Sequence, residues 1–461
     1  MYKSAVMTNI ITIFITICSL FIGGLLYFHK NEMIDGYEYL FLLPLTYLIT
    51  FLLFIRPIIK NIGLSFFLAT FSIVAFFRYS ILSFLIYKSK WYYGVSNYSP
   101  SNEQFSNAII FMCYEVIIYS LAIFIFHKLL IKSQTTGSVV FSKNNFIYFL
   151  FIFITIIIVI LNPSSLKYFS FISINENFES VDSLGSFALV AVVFLSVSRI
   201  LLYFIIMKFL VLKIKPTNYI LSFVMVASIS VINSMIFVGT NRASFILNFV
   251  ATIIILIYLY KKTAITFSFI MAAILPPLLG SLLSFRQTTT ITQGANKLVD
   301  LTDTLQVYLG GVYNVAMSLD ITSPNNNPLY LIIDIMRSAI GPNILLKNMN
   351  FVNSVHLFNE RIFQSNLVSQ ILPMIGQGKL YLGYIFAPLL GVLFIFIATY
   401  FTKIIVEKRR FELIFVFTLI TGRLGFVMAQ NGNIFLNELT FYLPLFLLVY
   451  YINNKVVIKN E

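Results

Sequence analysis

Long apolar runs follow one another along most of this chain, separated by short polar stretches. A helix that crosses a bilayer needs about 20 apolar residues, and twelve runs come close to or exceed that length. They cover residues 6–28, 38–55, 63–87, 107–130, 146–161, 184–207, 217–238, 244–260, 263–285, 376–402, 411–429 and 435–452. The runs are solidly apolar and do not alternate as the strands of a membrane barrel do. The pattern predicts an all-α, polytopic integral membrane protein with about twelve transmembrane helices.

Composition removes the soluble alternatives. Of 461 residues, 59% are hydrophobic and only 10% are charged, whereas soluble domains have about 25% charged residues. The first run is long enough to span and lacks a small-residue cleavage site, so a retained helix is expected rather than a signal peptide. Cys18 and Cys113 both lie in apolar runs, so neither a disulfide nor a cysteine metal site is expected.

Basic and acidic residues alternate between successive connections, which predicts the orientation. One set of connections holds Arg56, Lys60, Lys128, Lys132, Lys143, Lys208, Lys213, Lys215, Lys261, Lys262, Lys403, Lys408, Arg409 and Arg410. The other set holds Glu32, Asp35, Glu38, Glu103, Glu176, Glu179, Asp182, Asp300, Asp303, Asp320, Asp334 and Glu360. The positive-inside rule then places both termini in the cytoplasm. The net charge of +14 therefore reflects orientation in a membrane, and no nucleic-acid partner is expected.

One connection is far longer than the rest. Residues 286–375, hereafter the long loop, lie on the predicted outer side between the ninth and tenth helices. A structureless loop of that length is improbable unless it is functional. It contains two helix-like pieces, Leu298–Leu319 and Leu329–Ile340, which we expect at the interface or dipping against the helices. The chain is then one integral domain, with nine helices in 1–285, the long loop, and three helices and a tail in 376–461.

Arginine is the residue that best indicates a ligand. Arg78 and Arg423 lie inside apolar runs, where an arginine costs at least about 2.5–3.5 kcal/mol on insertion scales. Arg242 and Arg286 flank an apolar hairpin whose Lys261-Lys262 turn is predicted to be cytoplasmic, so both would reach the outer boundary. The long loop adds Arg337 and Arg361. Guanidinium groups gathered near one face suggest a phosphate or pyrophosphate partner. The alternatives are interfacial anchors for the flanking pair, and structural ion pairs with Glu115 or Glu438 for the deep pair. For the two loop arginines the alternative is a solvated position.

Candidates for acid–base chemistry also lie in the long loop. His356 is the one histidine on the predicted outer side, and a neutral imidazole can take a proton from a sugar hydroxyl. Glu360 is a second possible base beside it, and another acid of the long loop, such as Asp303 or Asp334, comes next. An exposed loop histidine is the simpler alternative. No histidine-rich or paired-acid metal pattern is visible, so neither a metal nor another cofactor is expected. Aromatic residues on the predicted outer side would stack on sugars or form an interfacial belt: Trp91, Tyr92, Tyr93 and Tyr98.

Three short fragments, together with the overall arrangement, carry a family resemblance. The fragments are Gly239-Thr240-Asn241-Arg242 at a helix start, Ser284-Phe285-Arg286-Gln287 after the next helix, and Gln377-Gly378-Lys379 entering the helix after the long loop. With about twelve helices and one large late loop, the whole chain resembles the Wzy-type O-antigen and capsular repeat-unit polymerases. The resemblance implies a GT-C-like glycosyltransferase fold in the bacterial cytoplasmic membrane.

The resemblance also implies an activity. Such an enzyme joins undecaprenyl-pyrophosphate-linked oligosaccharides, as donor and acceptor, into O-antigen or capsule outside the membrane, by metal-independent inverting transfer. Arg242 and Arg286 would hold the pyrophosphate, His356 would be the base, and a chain-length regulator would be a possible partner. Two rivals stay open: a lipid-linked oligosaccharide flippase, and a ligase or acyltransferase acting on another acceptor. The long loop favours an enzyme, because transport does not require it.

We expect cysteine labelling to confirm this topology. A cysteine at Asn326, in the long loop, should react with an impermeant reagent from outside, and one at Thr136 only from the cytoplasmic side. Reaction of position 326 from the cytoplasmic side alone would contradict both the topology and the mechanism.

Overall fold

The fold is seen in a computed structural model. It describes residues 5–95, 98–131, 139–171, 186–238, 242–261, 263–268, 291–292, 294–322, 327–346, 349, 351–363 and 370–456. Within these ranges the regular secondary structure is helical, apart from one antiparallel pair of three-residue strands, Phe169–Phe171 with Ile236–Val238, and single-residue bridges such as Val140 with Arg410. The prediction of a helical polytopic membrane protein is confirmed at this level.

The helices are numbered here in chain order. They are α1 Ala5–Phe28, α2 Leu42–Asn61, α3 Phe66–Ser89, α4 Asn102–Leu130, α5 Phe146–Leu161, α6 Ser186–Phe209, α7 Tyr219–Met235, α8 Arg242–Tyr260, α9 Lys297–Leu309, α10 Val312–Leu319, α11 Pro328–Met336, α12 Pro342–Leu346, α13 Ser354–Phe363, α14 Met374–Phe386, α15 Leu389–Lys408, α16 Phe411–Leu424, α17 Gly432–Phe441 and α18 Leu443–Lys455. A helical stretch also covers 263–268. Single π-helical turns lie within α2 at Phe51–Ile55 and within α3 at Phe77–Ile81, and another extends α6 through Leu210–Ile214.

Seven helical spans in the described ranges are long and apolar enough to cross a membrane. They are Thr8–Phe28, Leu42–Asn61, Phe66–Ser89, Asn102–Leu130, Phe187–Ile214, Leu389–Lys408 and Gly432–Lys455. Three further apolar helices are shorter: Phe146–Leu161, Tyr219–Met235 and Leu247–Tyr260. The count of twelve stays a prediction, because most of the run 263–285 lies outside the described residues.

The apolar run 376–402 is divided rather than continuous. Helix α14 ends at Phe386, and α15 begins at Leu389. Within α14, Gly383 has a φ of 74°, which side-chain-bearing residues rarely adopt. Pro388 follows in the connection and cannot donate a backbone hydrogen bond. Only α15 has the length of a span, so hydropathy alone placed the start of this span too early.

The described chain forms two compact units. The first comprises Met1–Thr135, Thr289–Val406 and Ile420–Glu438, and the second comprises Thr136–Thr288, Glu407–Leu419 and Leu439–Glu461. In the second unit, α5 packs on α6, and α7 packs on α8. The first unit holds the described part of the long loop.

The long loop is folded, and its first helix-like piece is two helices. Asn296 begins α9 by accepting hydrogen bonds from the backbone N–H groups of Leu298 and Val299, as an N-cap does. Gly310 ends α9 in the left-handed region with φ 60°, where glycine is the usual residue. The Gly310-Gly311 pair therefore divides the stretch that the sequence suggested as one helix.

Helix α10 lies inside the first unit. All eight of its residues are buried, and it packs against α4 and α14. A Cβ on Gly376 would lie 2.3 Å from Ser318 Oγ, so the approach of α14 requires glycine there. Backbone that turns at membrane depth is tolerated when protein surrounds it. The long loop thus enters the helices, one of the two placements expected from the sequence.

Arg78 fixes the turn between α9 and α10. Its Nε donates a 3.0 Å hydrogen bond to the carbonyl oxygen of Gly310, and its Nη1 lies 2.8 Å from Glu115 Oε2 on α4. The hydroxyl of Tyr79 donates to the same carboxylate. Arg78 precedes the end of α3 at Ser89 by about three helical turns, or roughly 16 Å. The turn therefore lies about half a bilayer thickness from that end of α3.

We expect Arg78→Met to destabilise the protein strongly. Both side chains of the Arg78–Glu115 pair are 0% exposed, and removing one partner strands a buried charge, typically at a cost of about 3–5 kcal/mol. Thermal unfolding in detergent measures the effect. Arg56→Met is the matched control, because Arg56 is exposed on α2 and should stay within about 0.5 kcal/mol. The double variant Arg78→Met/Glu115→Leu should recover part of the loss, and equal melting of the Arg78 and Arg56 variants would contradict this role.

Candidate functional site

Arg78 and Arg423 each lie beside the acidic residue that the sequence suggested as an ion-pair partner. Arg78 is fully enclosed and paired with Glu115, which fits a structural ion pair. Arg423 is different: its Nε lies 3.5 Å from Glu438 Oε1, and its side chain is 7% exposed. Its Nη1 makes no hydrogen bond to a described residue. Arg423 therefore keeps unused donor capacity, as Arg78 does at Nη2.

The flanking pair, Arg242 and Arg286, lies largely outside the described residues. Arg242 begins α8, which agrees with the helix start expected at the Gly239-Thr240-Asn241-Arg242 fragment. Its side chain lies outside what the structure describes, as does the whole of Arg286. Their convergence on one anionic site stays a prediction.

Arg361 is held by an acid of the long loop. Its Nε donates a 2.6 Å hydrogen bond to Asp320 Oδ2, and its guanidinium carbon lies 3.8 Å from the centre of the Tyr98 ring. Gln104 also donates to Asp320. Partial burial acts to raise the pKa of Asp320, but the hydrogen bonds from Arg361, Gln104 and Tyr98 outweigh it and hold the pKa below its usual value. Arg361 is thus paired, although its side chain stays 38% exposed.

The remaining candidates of the long loop make no contact with that pair that the structure describes. Arg337 follows α11 and donates to the carbonyl oxygen of Phe351. His356 lies in the first turn of α13, where its backbone N–H bonds to Asn353 Oδ1, and its half-buried ring bonds to no described residue. Glu360 is exposed on the same helix. The structure therefore gives His356 and Glu360 accessible side chains without showing a shared partner.

A carboxylate near a tryptophan is a site that the sequence analysis placed behind His356 and Glu360 as a possible base. Asp303, on α9, accepts a 3.2 Å hydrogen bond at Oδ1 from the indole N–H of Trp91. Trp91 also packs edge-to-face with Tyr93. Burial raises the pKa of Asp303 to about 6, with Trp91 lowering it and the neighbouring Asp300 raising it. The carboxylate can therefore exchange a proton near neutral pH.

A second carboxylate is enclosed among neutral donors. Asp334 is 0% exposed and accepts hydrogen bonds from Ser354 Oγ and from Gln377 Nε2, the latter at 3.0 Å. Asn433 Nδ2 donates to the backbone oxygen of Asp334 and to Ser338 Oγ. The network ties α11, α13, α14 and α17 together within the first unit. Its function is to position the long loop, and Gln377 belongs to the third fragment of the family resemblance.

An apolar groove opens beside the same helices in the first unit. Its volume is about 800 Å³. The lining includes Ile321, Pro328, Leu380, Tyr384, Phe386 and Leu389. Lys379 also lines it, with Nζ donating to the carbonyl oxygens of Leu319 and Ile321. Two of the three ammonium protons are used in this way, and Nζ also lies 5.5 Å from the centre of the Tyr384 ring.

The second unit contains a half-buried arginine on α6. Arg199 donates to the backbone oxygens of Asn233 and Ile236 at the end of α7. A cation at a helix C-terminus is favoured by the helix dipole.

In the described ranges, no three or more His, Cys, Asp or Glu side chains gather as metal ligands would. No family model, curated protein or solved structure matches this chain.

We expect the hydroxyl group of Ser354, which donates to Asp334, to contribute measurably to the stability of the protein. Ser354→Ala removes a hydrogen bond to a buried carboxylate, which is worth roughly 1.5–3 kcal/mol. Ser338→Ala is the matched control, because that hydroxyl only accepts from Asn433, whose Nδ2 keeps the Asp334 backbone oxygen as a partner. Thermal unfolding of the two variants in detergent should differ clearly. Equal losses would mean that Ser354 contributes no charge-assisted bond.

Proposed function

We propose that this protein is a glycosyltransferase that polymerises oligosaccharide repeat units carried on polyprenyl pyrophosphate. The donor is the growing glycan on one lipid, and the acceptor is a sugar hydroxyl of a unit on another lipid. The reaction takes place on the predicted outer side of the bacterial cytoplasmic membrane and builds O-antigen or capsule.

The observation that carries the proposal is the folded long loop. Helices α9 and α10 enter the first unit and are fixed there by Arg78, and α11 and α13 are fixed by the Asp334 network. A rigid segment bearing carboxylates beside the membrane helices suits an enzyme, which must hold reacting groups in place. A transporter needs no such segment.

Two further features suit a lipid pyrophosphate. The apolar groove along α14 and the start of α15 can take part of a polyprenyl chain, with Lys379 at its edge for the anionic head group. Arg423 has unpaired guanidinium donors, and the sequence adds Arg242 and Arg286. Planar guanidinium groups match phosphate oxygens in two-point contacts.

The proposed transfer needs a base and an anion clamp. A base removes the proton of the acceptor hydroxyl, and the oxygen attacks the anomeric carbon of the donor. The bond to the pyrophosphate oxygen breaks on the opposite face, so the anomeric configuration inverts. The arginines stabilise the negative charge that grows on the leaving pyrophosphate. His356, Glu360 and Asp303 are the candidate bases of the long loop.

The experiment is a polymerisation assay with purified protein in lipid. The substrate is the lipid-linked repeat unit prepared from cells that lack this protein. A ladder of products on a gel is expected from a polymerase. A single transfer to a different acceptor would indicate a ligase, and movement of the lipid across vesicles without new bonds would indicate a flippase. Either of these results would contradict the proposal.

Arg242→Ala and Arg286→Ala should each lower polymerisation roughly ten- to a hundredfold. Each removes a charge-assisted contact worth about 1.5–3 kcal/mol, and lysine should restore little because it lacks the planar fork. Arg56→Ala, on the opposite predicted side, is the control and should leave the rate unchanged. Full activity of both variants at normal expression would place the clamp elsewhere.

A further inference from the structure

We propose that Asp303 is the catalytic base that deprotonates the acceptor hydroxyl, with Trp91 orienting its carboxylate. The inference rests on the proposed function and names the group that activates the acceptor. It replaces the sequence-based preference for His356 with a residue chosen from geometry.

The two oxygens of Asp303 have different surroundings. Oδ1 accepts the indole N–H of Trp91 at 3.2 Å, while Oδ2 accepts no hydrogen bond from a described residue. The side chain is 9% exposed, so Oδ2 is largely desolvated but not sealed from a ligand. Oδ2 of Asp303 can therefore accept a proton from a bound hydroxyl group.

Asp300, the neighbouring carboxylate on α9, uses both of its oxygens in hydrogen bonds to backbone N–H groups. Asp300 Oδ1 accepts the backbone N–H of Thr292 at 2.9 Å, and Oδ2 accepts that of Gly294 at 3.0 Å. Asp320 binds Arg361, and Asp334 is enclosed by neutral donors. Asp303 thus differs from the other carboxylates of the described long loop in having an uncommitted oxygen in a partly dry setting.

Its surroundings also suit a sugar. The rings of Trp91 and Tyr93 meet edge-to-face, and 40% of Tyr93 is exposed. Aromatic faces beside a carboxylate bind the apolar face of a sugar ring and one of its hydroxyls together. Trp91 follows the end of α3 at Ser89 by two residues, so the site lies at one end of a membrane helix. That is the level at which a lipid-borne pyrophosphate would sit.

Burial has the largest effect on the pKa of Asp303, and two neighbours modify it. Burial raises the pKa of Asp303 to about 6, the Trp91 hydrogen bond lowers it, and the Asp300 charge raises it. The titratable groups on the helices packed against α9 are directed to other partners. Arg78 and Tyr79 face Glu115, Tyr87 contacts His29 and Lys88, and the Tyr313 hydroxyl donates to the backbone oxygen of Tyr98.

The step balances without a co-reactant. The acceptor O–H proton passes to Asp303 Oδ2, and the oxygen electron pair forms the bond to the anomeric carbon. The bond from that carbon to the pyrophosphate oxygen breaks, and its electron pair leaves with pyrophosphate. The carboxylic acid then returns its proton to water. Because the base must be ionised, kcat/KM should fall as pH drops below about 6, the pKa of the free enzyme.

The test is the pH profile of kcat/KM in the polymerisation assay. Asp303→Asn should lower the rate about 10²–10⁴-fold and remove the acid limb of the profile. Asp35→Asn is the control, because it removes an exposed carboxylate from another connection. It should change neither the rate nor the acid limb of the profile. Gel filtration and thermal unfolding check that each variant folds.

Two further variants test the proposal if Asp303→Asn does not fold, because they should shift the acid limb of the pH profile in opposite directions. Trp91→Phe keeps an aromatic ring but removes the donor to the ionised form, so the acid limb should move to higher pH. Asp300→Asn removes a neighbouring negative charge, so the limb should move to lower pH. A residue with only a structural function would give neither shift.

The outcomes separate the two claims. A wild-type protein that makes no product overturns the proposed function and this inference together. A ladder from wild type, combined with an unchanged rate and acid limb in Asp303→Asn, overturns the inference alone. An acid limb lost in His356→Gln but kept in Asp303→Asn would do the same and return the base to His356. Opposite shifts in the Trp91 and Asp300 variants would support Asp303.

Discussion

A buried positive charge is the constraint on which the first unit depends. The Arg78 guanidinium has no access to solvent, so its cost must be met inside the protein. Glu115 supplies the countercharge and the Gly310 carbonyl supplies an oxygen from the long loop. Because a partly paired charge is so unfavourable at this depth, α3, α4 and the turn of the long loop are required to meet at one place. The π-helical turn of α3 contains Arg78, and such turns often accompany functional or strained positions.

The hydrogen-bond and charge partners of the carboxylates in the long loop distinguish them from one another. Four aspartates lie in its described part, and each has a different set of neighbours. Backbone amides hold Asp300, a guanidinium holds Asp320, and neutral side chains enclose Asp334. These three contribute to positioning because their oxygens are committed. Asp303 has the sparsest set of donors, and its pKa is raised toward neutrality, as is common for groups that transfer protons.

Much of the helical architecture could be predicted from hydropathy, because an apolar run of spanning length has few alternatives in a bilayer. The run 146–161 matches Phe146–Leu161, and the acidic partners of Arg78 and Arg423 were visible because carboxylates are rare in apolar runs. The division at Gly383 was not predicted, since hydropathy does not register backbone conformation. The Gly310-Gly311 break was not predicted either, and the burial of α10 depends on helices far along the chain.

The candidate site was harder to predict for the same reason. Asp303 gains its significance from Trp91, 212 residues earlier in the chain, and no local pattern links them. The Asp334 network likewise joins residues up to 99 positions apart. Sequence reasoning favoured His356 because histidine titrates near neutrality without help. An aspartate reaches that range only through burial, which a single sequence does not display.

The hydrogen bond between Arg78 and Gly310 also sets an order of assembly during synthesis. The two residues are 232 positions apart, and ribosomes add about 5–20 residues per second. Roughly 12 to 46 s therefore pass before the carbonyl partner of Arg78 exists, at those rates. Glu115 emerges within seconds, so the ion pair can form first and keep α3 and α4 together. The Nε donor of Arg78 then lacks its carbonyl acceptor until the later part of the chain arrives.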